Sequence, residues 1–291
     1  MKHDSLRRLM RKIALGIPFA IPVITAPFNV GGCMLGYECA ATPAPVVIEY
    51  EVSDAPLNCL EICGEDISCA ATDAHHVQCD HVRVGQCGGA GRRPEAGLYA
   101  SRGPRNPVTA WLHDTAVLEA GSVAAFEALA DDLDRHGAPR FAARARVAAR
   151  EESGHANLVN RLLHVRGVPS PTVRVPTSEP RSLFAIALEN ATEGCVGEAW
   201  GALEAHVQSE RADDADVRGA LKTIAIEEAA HALFSLDLAA WLRTRLTPEE
   251  NREVERAAEA ARDQLRQRLA TRARPSGLGL LAPAEALALS A

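Results

Sequence analysis

The sequence predicts a mainly α fold: a four-helix bundle with a long crossover and a fifth, C-terminal helix, preceded by a small disulfide-rich segment. Three observations predict it. Residues 108–245 carry apolar positions at three- and four-residue spacing in four stretches of helical length. Aromatics are only 4% of a chain that is 47% hydrophobic, and Ala recurs after residue 110, which favours helices over a β-sandwich. Seven of the eight cysteines fall before residue 90, as in small stapled segments of exported proteins. The 291 residues suffice for one large domain or two unequal ones, and the net charge of −7 argues against a nucleic-acid binder.

The chain opens with Lys2, Arg7, Arg8, Arg11 and Lys12 against one acid, Asp4. Residues 13–28 are uncharged and mostly apolar, and Gly31-Gly32-Cys33 follows. A basic start, a short apolar middle and small residues before a cut describe a signal peptide over 1–32. Pro18, Pro22 and Pro27 disfavour a membrane-spanning helix there. The small residues before Cys33 resemble a lipobox, so a lipid anchor at Cys33 is the expected membrane contact. Arg7-Arg8 is read as an ordinary basic leader rather than a twin-arginine signal.

Residues 33–94 form the Cys-rich segment. If Cys33 carries lipid, Cys39, Cys59, Cys63, Cys69, Cys79 and Cys87 can form three disulfides, with Cys195 left over downstream. Their connectivity is open. Residues 46–52 and 81–84 read as short strands. A zinc site from His75, His76, Cys79 and His81 fits no standard spacing. The glycines and Pro94 of 88–94 read as a linker, and the boundary lies at 95–107.

Helices are expected at 110–136, 139–165, 181–210 and 214–243. Gly137-Ala138-Pro139 breaks the first pair, and Asp213-Asp214 suits a helix start between the second. The inward stripe of the first helix includes Leu112, Ala116, Glu119, Val123, Phe126 and Leu133. That of the second holds Ala145, Ala148, Glu152, His155, Val159 and Leu162. The third offers Ile186, Glu193, Gly197, Trp200 and Val207, and the fourth Leu221, Ile224, Glu228, His231, Ser235 and Leu238. Residues 167–180 hold four prolines and cannot be helical. Fourteen extended residues reach roughly 46–50 Å, enough to run the length of a bundle. Thr247-Pro248-Glu249-Glu250 starts a fifth helix, expected over 248–273.

One Glu-x-x-His is weak, since chance supplies about one in a chain with 24 Glu and 10 His. Register strengthens it. Glu119, Phe126 and Leu129 recur 74 residues on as Glu193, Trp200 and Leu203, and Glu151, Glu152 and His155 recur 76 residues on as Glu227, Glu228 and His231. Each half is a helical hairpin presenting Glu and then Glu-x-x-His. Buried carboxylates are costly unless paired, and two divalent cations would neutralise such a cluster. Glu198 rivals Glu193, but the repeat aligns it with Ala124, so Glu193 is preferred. Glu127, Glu151, Glu189, Glu204 and Glu227 read as solvated or supporting groups, and Cys195 as a small buried residue. The three tyrosines, Tyr37, Tyr50 and Tyr99, all precede the bundle, so tyrosyl-radical chemistry based there is excluded.

These motifs resemble the ferritin-like, rubrerythrin-type di-iron carboxylate proteins, over about residues 108–243. The resemblance implies that Glu152 and Glu228 bridge two metals, that Glu119 and Glu193 are terminal carboxylates, and that His155 and His231 bind one metal each. It implies iron as the metal, with Mn or Zn compatible with the same ligands, and O2 or peroxide as the reactant in ferroxidase, peroxidase or oxidase chemistry. The expected place is the periplasm, or the outer membrane through a lipid anchor, of a Gram-negative bacterium. The other reading is an exported scaffold or metal-binding lipoprotein whose Cys-rich segment binds a surface partner.

Overall fold

The computed structural model describes residues 3–16, 45–53, 56–59, 69–83, 91–95 and 97–290. Two long antiparallel helical hairpins dominate it. The first pairs α2 (Pro107–Arg135) with α3 (Pro139–His164); α1 (His3–Ala14) precedes them. The second pairs α4 with α5 (Ala215–Arg243). Helix α4 runs through residues 183–211 as α-helical Leu183–Glu189, π-helical Asn190–Glu198 and α-helical Ala199–Arg211. Helix α6 (Pro248–Thr271) lies on the π-helical stretch, and α7 (Pro283–Leu289) packs on α6. Among the described residues no helix is long and apolar enough to cross a membrane.

Local chemistry sets these boundaries. Asn106 caps α2 by accepting the Val108 and Thr109 N–H groups, with Pro107 in the first turn. The turn after α2 places Gly137 at φ 70°, a left-handed conformation that suits glycine. Ser182 caps α4, Asp214 caps α5, and Thr247 with Glu250 forms a capping box at α6. The proline-rich stretch between α3 and α4 is not helical, as expected, and includes the two-residue strand Val173–Arg174.

Two of the core's apolar clusters leave a middle layer between them. At one end Leu112, Ala116, Val159, Leu162, Ala202, Leu221 and Ile224 pack together. At the other, Phe126, Leu129, Leu133, Ala145, Ile186, Phe234 and Leu238 do so. Glu119, Glu152, His155, Glu198, Glu228 and His231 all come, along their helices, between residues of these two groups, and all are buried.

A small antiparallel sheet flanks the helices. Its strands are β1 (Pro45–Glu49), β2 (Cys69–Asp73), β3 (His76–Arg83), β4 (Tyr99–Ala100) and β5 (Val173–Arg174). Both β1 and β2 pair with β3, then β3 with β4 and β4 with β5, in registers such as Val46↔Cys79 and Ala100↔Val173. The Cys-rich segment, the stretch read as a linker and the crossover are thus stitched together. Leu98, Ala100, Val117 and Leu118 bury a further apolar patch beneath them. Cys59 and Cys69 form a disulfide, and Cys79 is also disulfide-bonded, so it is no zinc thiolate. Cys33, Cys39, Cys63 and Cys87, and with them the lipid-anchor expectation, lie outside the described residues.

Helix α1 belongs to the folded body. It lies on α5 and α4, with Met10 and Ile13 fully buried and Arg7 bonded to Asp237 at 2.6 Å.

Candidate metal centre

Helices α2, α3, α4 and α5 each bring carboxylates into the middle layer, and α3 and α5 add one imidazole each. Three-residue spacing sets each Glu and His of a Glu-x-x-His pair on one helix face about a turn apart. His155 Nδ1 lies 3.2 Å from Glu119, 3.4 Å from Glu152 and 3.8 Å from Glu228. His231 Nδ1 lies 3.2 Å from Glu152 and 3.8 Å from Glu228. Glu152 and Glu228 each turn one oxygen to one imidazole and the other oxygen to the second. They therefore occupy the shared, central position between the two halves.

The outer imidazole nitrogens are held reciprocally. His155 Nε2 meets Glu227 of α5 at 2.7 Å, and His231 Nε2 meets Glu151 of α3 at 2.8 Å. Such carboxylates orient an imidazole and fix which nitrogen faces inward. Glu151 and Glu227 are thus supporting groups. The rings sit 5.9 Å apart, and Phe126 presents an edge contact to His231 at 5.2 Å.

Two groups of side chains could each hold a cation: Glu119, Glu152, His155 and Glu228, and Glu198, Glu228 and His231. Within each group one candidate ligand atom per residue lies within 4.8 Å of the others. The residues fit a metal by their unsatisfied atoms as well as by type. Glu119 Oε1, both oxygens of Glu152, both of Glu228 and His231 Nδ1 are buried without a hydrogen bond. Leaving that many polar atoms unmatched in a protein interior is costly, and a cation at each group would satisfy them. Carboxylate oxygen with imidazole nitrogen suits Fe, Mn or Zn.

Electrostatics follow from burial. Removal from water pushes Glu119 well above the ordinary carboxylate range and raises Glu228, which Glu152 repels further. Glu198 is pushed up to about 8, chiefly by burial. Burial opposes the ionised form of Glu152 too, but the two imidazoles that face it, at 3.4 and 3.2 Å, override it and lower its pKa. Burial alone would lower both histidines. The carboxylates around them, Glu119, Glu152 and Glu227 for His155 and Glu151, Glu152 and Glu228 for His231, hold them well above the ordinary value.

Five of the six residues singled out from the sequence meet here: Glu119, Glu152, His155, Glu228 and His231. Glu193 does not. It is half-buried and lines a different cavity, with Thr192, Trp200 and Arg268, between α4 and α6. Glu198 takes the inward position instead. The π-helical stretch is the cause, because i→i+5 bonding takes more residues per turn than an α-helix does. The inner stripe becomes Ile186, Asn190, Gly194 and Glu198, all buried. Gly194 permits it, since a Cβ there would lie 2.5 Å from Arg92 Nη2 and 2.6 Å from Ser235 Oγ. Asn190 anchors it, donating to the Ser235 carbonyl at 3.0 Å. Thr192, whose hydroxyl bonds back to the Leu188 and Glu189 carbonyls, and the pair Gly194 and Gly197 were the local signs of an irregular helix.

Sequence reasoning missed Arg92, and read Glu189 as a solvated or supporting group. The glycine-rich stretch that reads as a spacer sends the Arg92 side chain, fully buried, into the helices. There it bonds Glu189 at 2.7 Å and Glu198 at 3.2 Å. Burial opposes its charge, but these two carboxylates more than compensate and raise its pKa. Cys195 is a free thiol pushed up to about 12 by burial, so it holds no thiolate near neutral pH. No protein family, curated protein or solved structure matches the chain.

Proposed function

We propose that this is a ferritin-like, rubrerythrin-type four-helix-bundle protein that holds two divalent cations, iron by preference, and carries out redox chemistry with O2 or peroxide. One observation carries the reading: four buried carboxylates and two imidazoles from four helices surround one layer, with two carboxylates shared between the halves. Two divalent cations would balance Glu119, Glu152, Glu198 and Glu228, leaving Arg92 to balance Glu189. When bound, iron would supply the electrons that reduce O2 or peroxide.

The chain's own part is definite. Glu152 and Glu228 would span both cations. Glu227 and Glu151 would accept the Nε2 protons of His155 and His231, so that each Nδ1 presents its lone pair inward. Both histidines must give up their Nδ1 protons to bind, so loading releases protons and is favoured as pH rises. The apolar clusters on either side keep bulk water from the layer.

Export belongs to the same proposal, because disulfides at Cys59–Cys69 and Cys79 persist in oxidising compartments. The packing of α1 bears on how export would occur, since a cut before Cys33 would remove the buried Met10 and Ile13. Intact-mass measurement of protein purified from its native cells decides whether the leader is retained.

The test of function is elemental analysis and O2- or peroxide-driven absorbance change in the wild type and in Glu152→Ala and His231→Ala. About two irons per chain in the wild type, lost in both variants, is the expected result. Metal retained in the variants sinks the site assignment. A wild type that takes up no metal favours the exported scaffold.

A further inference from the structure

The two halves of the centre differ in one respect that their repeat does not foretell. Glu119 keeps Oε1 without any hydrogen bond, and its Oε2 faces His155. Glu198 is already engaged on both oxygens: Oε1 accepts from Arg92 Nε at 3.2 Å and Oε2 from Ser235 Oγ at 3.4 Å. The same guanidinium is saturated elsewhere. Its Nη1 bonds both oxygens of Glu189 at 2.7 Å, and its Nη2 bonds Asn190 Oδ1 at 3.1 Å and Ser235 Oγ at 3.0 Å. It also lies over the Phe126 ring, 5.0 Å from its centroid. The backbone behind it is pinned as well. Ser122 donates to the Arg92 carbonyl at 2.9 Å, and Gly91 takes φ 102° where a Cβ would collide with Ser122 Oγ.

Arg92 is therefore a fixed internal cation beside one half-site only. Building on the two-metal reading above, we propose that Arg92 makes the centre bind its two divalent cations unequally and in order. The first enters among Glu119, Glu152, His155 and Glu228, and the second, more weakly, among Glu198, Glu228 and His231. Two effects act together. The second cation must share or displace the Arg92 hydrogen bond to Glu198, and it meets the repulsion of a positive charge in a site of low dielectric. Repulsion of this kind, partly screened, weakens the second site by roughly 100-fold relative to the first. The donor counts point the same way, four residues against three. Arg92 is a positioning residue in this account: it acts on the second cation through Glu198 and through its own charge, and touches none of the reacting atoms.

The experiment is an anaerobic Co(II) titration of the full chain, followed by visible absorption and calorimetry, on the wild type, Arg92→Met and Arg92→Lys. The wild type is expected to bind one equivalent tightly and a second roughly 100-fold more weakly. Arg92→Met keeps an unbranched stem, removes the charged guanidinium and frees Glu198, so the second constant should strengthen at least about tenfold and the phases converge. Arg92→Lys keeps the charge and should keep two separate phases. A purely structural role for Arg92 would instead lower the melting temperature and leave the ratio of the two constants unchanged, which overturns the proposal. Should Arg92→Met not fold, Glu119→Gln decides: loss of the tight phase with the weak one retained supports the order, and loss of the weak phase alone refutes it. Two equal sites in the wild type overturn the inference while leaving the two-metal reading standing. A wild type that binds no Co(II) overturns both.

Discussion

Raising the pH should destabilise the metal-free protein, and the buried acids set the direction. Glu198 has a pKa of about 8 in the fold against an ordinary 4.5. A group raised on folding contributes stability that is complete below its unfolded pKa and is lost as pH climbs through the folded value. Glu119, Glu228, His155 and His231 are shifted upward as well, so they act in the same sense. Glu152 is shifted downward and acts oppositely, but its contribution is lost only as the pH falls below 4.5. From pH 5 to pH 9 the net slope is therefore negative. At about 1.4 kcal/mol per pH unit, the change in Glu198 alone amounts to about 5 kcal/mol at most. For a helical body of this size that is a fall of about 10–20 °C in melting temperature. Circular-dichroism melts in chelator at pH 5, 7 and 9 measure it. In Glu198→Gln, which keeps an oxygen for Arg92 but cannot ionise, the drop should shrink by a large fraction. A melting temperature that is flat or rises across this range, or an unchanged slope in Glu198→Gln, refutes the reasoning. Added divalent metal should restore more stability at pH 9 than at pH 5, because protons compete with it less.

Other predictions follow from particular contacts. Exchanging Glu193 for Gln should leave metal stoichiometry and melting temperature nearly unchanged, within about 0.5 kcal/mol, while Glu198→Gln weakens the second metal in the same titration. Gly194→Ala should cost about 2 kcal/mol or more in denaturant melts, because its Cβ meets Arg92 and Ser235 at 2.5–2.6 Å and neither can move freely. Truncating Met10 to Ala should cost about 2–5 kcal/mol if α1 is part of the mature fold. An unaltered melt would show that the seat it fills contributes nothing to stability.

Much of the architecture was legible from pattern alone. The helix spans expected from three- and four-residue spacing end within about three residues of those observed, because the caps and breakers are local: Asn106, Gly137, Asp214 and Thr247 act on their own turns. The two Glu-x-x-His pairs were legible for the same reason, since regular α-helix converts sequence spacing directly into a shared face. Short strands were less so. The strands expected at 46–52 and 81–84 overlap Pro45–Glu49 and only the end of His76–Arg83, and Cys69–Asp73 and the two-residue strands Tyr99–Ala100 and Val173–Arg174 exist only through partners brought to them.

What the chain determined by itself is the set of local elements and the two matching motifs on α3 and α5. Which glutamate of α4 faces inward was decided in three dimensions. The π-helical turns are held by Asn190 reaching Ser235, 45 residues away, and by Gly194 clearing room for Arg92. The charge of Arg92 was likewise unreadable in a stretch rich in glycine. Its burial is tolerable only where Glu189 and Glu198, 97 and 106 residues further on, converge on the same guanidinium. Helical periodicity is a property of neighbours along the backbone, whereas a buried ion pair or a register shift depends on groups that meet only after the helices have packed.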